Sequence, residues 1–107
     1  MYFDKKNCKI KLEEWSKLLN DIKYKRVEKT ILKNGKVVST VWIGVEHQIF
    51  ETMVFSSDDD FTEEYTSRYL TLKEAKAGHK EVVKRFDEQE KQELIDEKIK
   101  EDTKELT

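Results

Sequence analysis

The run from Val37 to Phe55, VVSTVWIGVEHQIFETMVF, sets the terms for any fold of this chain, because it is the one long stretch in which apolar residues outnumber polar ones. Asp, Glu, Lys and Arg make up 41% of the whole sequence, so a core has to be assembled around this segment. Its β-branched and aromatic content predicts strands. Alternation puts Val37, Ser39, Val41, Ile43 and Val45 on one face, and Val38, Thr40, Trp42, Gly44 and Glu46 on the other. Glu46-His47-Gln48 interrupts the run, and Ile49–Phe55 follows after too few residues for a crossover, so the two halves must return antiparallel. A turn centred on His47-Gln48 sets Val45 opposite Phe50, Val41 opposite Val54 and Trp42 opposite Met53. A turn at Glu46-His47 pairs Ile43 with Phe50 and Trp42 with Glu51 instead. The first arrangement matches more apolar partners, and places Val41, Val45, Phe50 and Val54 in the core.

The flanks supply the remaining elements. Leu12, Trp15, Leu19 and Ile22 are spaced three, four and three apart, the stripe of an amphipathic helix over 11–22. From Tyr24 the period changes to two, and Asn34-Gly35 after Leu32 is the dipeptide that suits a two-residue hairpin turn with positive φ at both positions. Glu64–Leu70 reads as a fourth strand. Thr71 and Glu74 have capping-box spacing, so a helix begins at about 72 and packs Leu72, Ala75, His79, Val82, Val83 and Phe86. Gly78 within that helix costs about 1 kcal/mol relative to alanine, which implies a close approach to the sheet. The expected fold is therefore α+β: a short N-terminal helix, a four-stranded antiparallel meander, and a long C-terminal helix packed on one face. Residues 1–86 form one domain, and 87–107 a charged helical extension or a partly disordered tail.

A chain of 107 residues supports one modest core. The single cysteine, Cys8, forms no internal disulfide, and the N-terminus MYFDKKNCKIKLEEW carries neither an apolar stretch nor a small-residue cleavage site. No run has the length of a membrane span, so the expectation is a cytoplasmic protein without membrane attachment. The net charge of −2 hides a gradient: residues 1–40 hold eleven Lys/Arg against five Asp/Glu, whereas 87–107 hold four against nine.

Chemistry-bearing constellations are sparse. Glu46, His47, Glu51 and His79 are the set that could serve a divalent metal or acid–base work if the helix crossed the sheet near the second hairpin. There is no HExxH, no paired Cys/His spacing and no glycine-rich phosphate loop, so neither a catalytic centre, a metal site nor a cofactor is expected. Ser57–Asp60 lacks the ligand order of a calcium loop. Lys5, Lys6, Lys9, Lys11, Lys23, Lys25, Arg26 and Lys29, with Tyr2, Phe3 and Tyr24, could form a nucleic-acid face, against which stand the interleaved acids and a pI near 5.8. Val38, Trp42 and Met53 are expected on the uncovered face of the sheet as an apolar patch for a partner or a second copy.

The segments Val38-Ser39-Thr40-Val41-Trp42-Ile43-Gly44-Val45-Glu46-His47, Ile49–Phe55, Arg68-Tyr69-Leu70-Thr71 and Glu74-Ala75-Lys76-Ala77-Gly78-His79 together resemble a group of small uncharacterised proteins of tailed bacteriophages and prophages. Members of that group read approximately STVWLG-(L/I)-DH, a Gly/Pro-containing insert, IFETMVF, then RY-x-T-x-x-E-A-x-x-GH. The likeness covers roughly residues 24–86. Glu46 replaces the usual Asp, and the insert after His47 is reduced to Gln48. The resemblance implies a phage or prophage setting and little chemistry. Small size, charge polarity and the missing catalytic motifs favour a non-enzymatic accessory protein that binds another, host-encoded protein and modulates a host process or a defence enzyme. One form of this has the carboxylates of residues 87–105 imitating phosphate. The competing expectations are a nucleic-acid binder using the basic N-terminal third, and a metal-dependent enzyme using His47 and His79.

Overall fold

Residues 1–60 and 62–87 are described by the computed structural model; the expected extension beyond 87 lies outside the described residues. Their elements are β1 (Tyr2–Phe3), β2 (Lys9–Ile10), α1 (Leu12–Leu19), α2 (Ile22–Lys25), β3 (Arg26–Ile31), β4 (Val37–Val45), β5 (Gln48–Phe55), β6 (Glu63–Tyr69) and α3 (72–87). The α+β class with an antiparallel sheet and a C-terminal helix packed on it is the one expected, but six strands replace four and three helices replace two among the described residues. β3, β4, β5 and β6 are consecutive antiparallel neighbours. β1 joins the end of β4 through Tyr2 opposite Val45, with β2 paired outside it, so β1 and β3 share one edge of β4.

Each departure from the expected boundaries has a local cause. The N-terminal hairpin is closed by Asp4, whose Oδ1 accepts from the backbone N–H groups of Lys6 and Cys8 at 2.9 Å each, while Asn7 takes a positive φ. Helix α1 stops at Leu19 because Asp21 caps a new turn, accepting from Tyr24 N at 3.2 Å. Ile22 therefore leaves the expected stripe and is 71% exposed; Trp15, Leu18 and Leu19 pack instead. The β3–β4 turn uses three residues, Lys33-Asn34-Gly35, between Leu32 and Lys36, and only Gly35 is left-handed. The two-residue turn expected at Asn34-Gly35 is thus replaced by the longer loop that ends on a left-handed glycine.

The central hairpin follows neither expected register. Its turn is Glu46-His47, with His47 at φ 67° and Val45 opposite Gln48. Ile43 and Gly44 then oppose the single residue Ile49, and this bulge resets the ladder so that Trp42 faces Phe50 and Val38 faces Val54. Gly44 has φ 73°, and a methyl there would collide with the Trp42 indole and lie 2.7 Å from the Phe3 carbonyl. The bulge is therefore the place where the indole folds back over a residue without a side chain.

The core forms on the Val38, Thr40, Trp42 face, not on the expected Val41, Val45 face. Val38, Thr40, Trp42, Phe50, Thr52 and Val54 are all 0% exposed. The opposite face carries Glu51, which is only 8% exposed and accepts from Arg68 Nε at 3.1 Å. α3 begins as expected: Thr71 Oγ1 accepts from Glu74 N at 3.1 Å and meets Glu74 Oε1 at 3.0 Å. Ala75, His79, Val82 and Phe86 are its buried stripe, with Leu72 and Val83 partly buried.

Gly78 brings α3 against Tyr69, whose ring would overlap any Cβ at that position. Gly78→Ala is therefore expected to destabilise by about 1 kcal/mol, the overlap outweighing the helix-propensity gain. In a Tyr69→Ala background the same change should instead stabilise by several tenths of a kcal/mol. Urea melts of the four proteins measure the reversal.

Candidate functional site

The four residues that could have made a metal or acid–base centre are dispersed. His47 sits in the β4–β5 turn, 85% exposed at the side chain, with Glu46 Oε1 at 4.0 Å. Glu51 lies on the open face beside Arg68. His79 is 1% exposed beneath α3, held at Thr40, and five residues of strand plus the turn separate Thr40 from His47, roughly 15–20 Å. No group of three or more His, Cys, Asp or Glu converges on a metal-sized site among the described residues. The Asp loop uses its own carboxylates: Asp60 accepts from Thr62 N and Thr62 Oγ1, which lowers its pKa, and Asp58 holds Lys29 at 2.8 Å.

His79 nonetheless has an arrangement with chemical content. Its Nδ1 lies 2.7 Å from Thr40 Oγ1, its Nε2 2.9 Å from Thr30 Oγ1 and 3.7 Å from Glu28 Oε2, and Thr40 is bonded in turn to Thr52. A neutral imidazole has one N–H and one lone pair, so it donates to one threonine and accepts from the other. Burial pushes its pKa below the ordinary 6.5, with Glu28 pulling the other way. A carboxylate, an imidazole and a hydroxyl in sequence suggest a nucleophile relay, but Thr40 is 0% exposed and no substrate reaches it. The network joins α3 to the sheet.

The patch expected at Val38, Trp42 and Met53 does not exist as a surface. Val38 and Trp42 are 0% exposed on the covered face, and Met53, opposite Ser39, is on the other side of the sheet. The bulge and the turn at Glu46-His47 cause the separation, because Trp42 pairs with Phe50 rather than Met53. The aromatic residues offered for nucleic-acid stacking are also occupied: Tyr2 stacks on Trp15 at 4.3 Å, Tyr24 stands edge-on to Trp42 at 5.0 Å, and Phe3 packs in the core. Five of the eight basic residues line two separate hollows. Lys5 and Lys6 line one with Asp4, Glu14 and Leu18, where the Lys5 ammonium lies 4.6 Å from the Tyr24 ring centroid. Lys25, Arg26 and Lys29 line the other.

This second hollow lies on the open sheet face. The face runs strand by strand from a basic row (Arg26, Lys29) through an aliphatic one (Val37, Val41, with Ser39 between) to Met53 and Phe55. α2 rises beside it with Ile22 and Lys25, and Ser57 and Asp58 bound the other side, enclosing a cavity of about 240 Å³. Val41, Ile43, Val45, Met53 and Phe55 are each partly exposed on this face, with Ser39 and Glu51 lying between them, and no helix covers them among the described residues. Alternation alone identifies this face; its exposure depends on which side α3 chooses.

No family model, curated protein or solved structure matches this chain. Among the described residues no helix is long and apolar enough to cross a membrane.

Proposed function

We propose that the protein is a non-enzymatic binding module whose open sheet face docks another protein. The observation that carries this reading is the groove floored by Val37, Ser39 and Val41 and walled by Ile22 and Phe55. An apolar, partly exposed strip with a polar rim is the anatomy of a protein contact. The burial of Thr40 and His79, and the dispersal of the other titratable residues, support binding over catalysis. With the resemblance to phage and prophage proteins, the setting proposed is a bacterial host cytoplasm. There the partner is host-encoded and its binding modulates a host process or a defence enzyme.

Affinity capture from host lysate with wild type, Val41→Arg and Ser39→Arg tests this. Both variants place a long cation on the groove floor, and captured proteins should fall at least about tenfold, with circular dichroism unchanged. Equal recovery by all three proteins overturns the reading. Sedimentation velocity on the same samples separates a second copy of this chain from a foreign partner.

A further inference from the structure

We infer that the open-face groove takes an acidic amphipathic protein segment, an inference that rests on the protein-binding reading and names its partner's chemistry. The charges around the groove are segregated by position. Lys25, Arg26 and Lys29 stand along the α2–β3 wall, while the aliphatic floor is Val37 and Val41. α2 has no acidic residue in its first turn and ends on Lys23 and Lys25. The acid at the rim, Asp58, is already paired with Lys29 at 2.8 Å, so the wall keeps a net positive charge from Lys25 and Arg26. A segment with apolar residues for the floor and carboxylates on one flank satisfies both halves of the surface at once. A nucleic-acid strand satisfies only one, since phosphates meet the cations but bases find valines where they need aromatic planes.

Fluorescence anisotropy with the full chain tests the inference. The probe is a fluorescein-labelled synthetic peptide of alternating glutamate pairs and leucine pairs. Its lysine-for-glutamate counterpart and labelled oligothymidine are the comparisons. The acidic probe should bind saturably and weaken as salt rises. The double change Lys25→Glu with Arg26→Glu should lower its affinity about tenfold or more. Lys84→Glu, exposed on α3 at the covered face, should leave it unchanged. Equal binding of the lysine peptide, preference for oligothymidine, or no saturable binding of the acidic probe overturns the inference. Host-protein capture that depends on Val41 but is indifferent to the Lys25/Arg26 double change also overturns it, while leaving the protein-binding reading intact. Loss of the dependence on Val41 removes both.

Discussion

Trp42→Ala should cost about 3–5 kcal/mol of folding stability, a large share of the roughly 5–15 kcal/mol that a domain of this kind holds in total. The indole is 0% exposed, opposite Phe50, edge-on to Tyr24, and folded over Gly44. Its Nε1 donates to the Phe3 carbonyl at 3.0 Å, which ties the N-terminal hairpin to the core. Alanine removes the side chain from beneath three elements and leaves that carbonyl without its donor. Trp42→Phe retains most of the apolar volume and should cost less, about 1–2 kcal/mol, mainly through the lost hydrogen bond and the smaller ring. Urea unfolding gives both numbers, and amide exchange in β1 should accelerate in each variant. A loss below about 1 kcal/mol for alanine would contradict the packing described. The same result bears on binding experiments. Trp42→Ala lowers the folded population, so the proposed groove has to be probed at Val41 and Ser39, which lie on the other face.

Much of this architecture is legible in the sequence where periodicity and turn chemistry act locally. Thr71 and Glu74 fix the start of α3, its buried stripe follows from spacing, and the alternation of β4 assigns each residue to the correct face. Local pattern does not say which face is covered. The Val41 face is the more aliphatic on β4, but across the ladder it carries Glu51 and Arg68, whereas the Thr40 face offers hydroxyls that a buried histidine can use. That choice depends on pairings between distant strands, and a bulge at Ile43 and Gly44 shifts those pairings by one residue. The candidate site inherits the error: Trp42 signals a surface in the sequence and becomes the core, and the groove appears on the side assigned to the core. The N-terminal strands escape a periodic reading because each has two residues. The signal that marks them is the short Asp4-to-Asn7 turn, whose Asp4 side chain caps the loop.

His79 should make the attachment of α3 sensitive to acid in a definite direction. Its folded pKa lies below the ordinary 6.5 because the imidazole is buried, so the neutral form is the one the core accommodates. The stability this contributes is fully present above about pH 6.5 and declines as the pH falls toward the folded pKa, where the imidazole takes up a proton. His79→Leu removes the titration and leaves Thr30 without its ring partner, while Thr40 keeps Thr52; the cost at pH 8 should be about 2–4 kcal/mol. Urea melts from pH 8 to pH 5 should show wild-type stability falling with acid and the variant's curve flatter, since the two proteins differ only at residue 79. A wild-type curve parallel to that of His79→Leu would mean the imidazole tolerates its charge in place. Glu28 supplies the sharper check, being the charged side chain whose carboxylate approaches the ring, at 3.7 Å, and it favours the protonated imidazole. Glu28→Gln withdraws that compensation and should steepen the acid loss, an effect opposite in sign to the removal of a salt bridge that stabilises the fold at neutral pH.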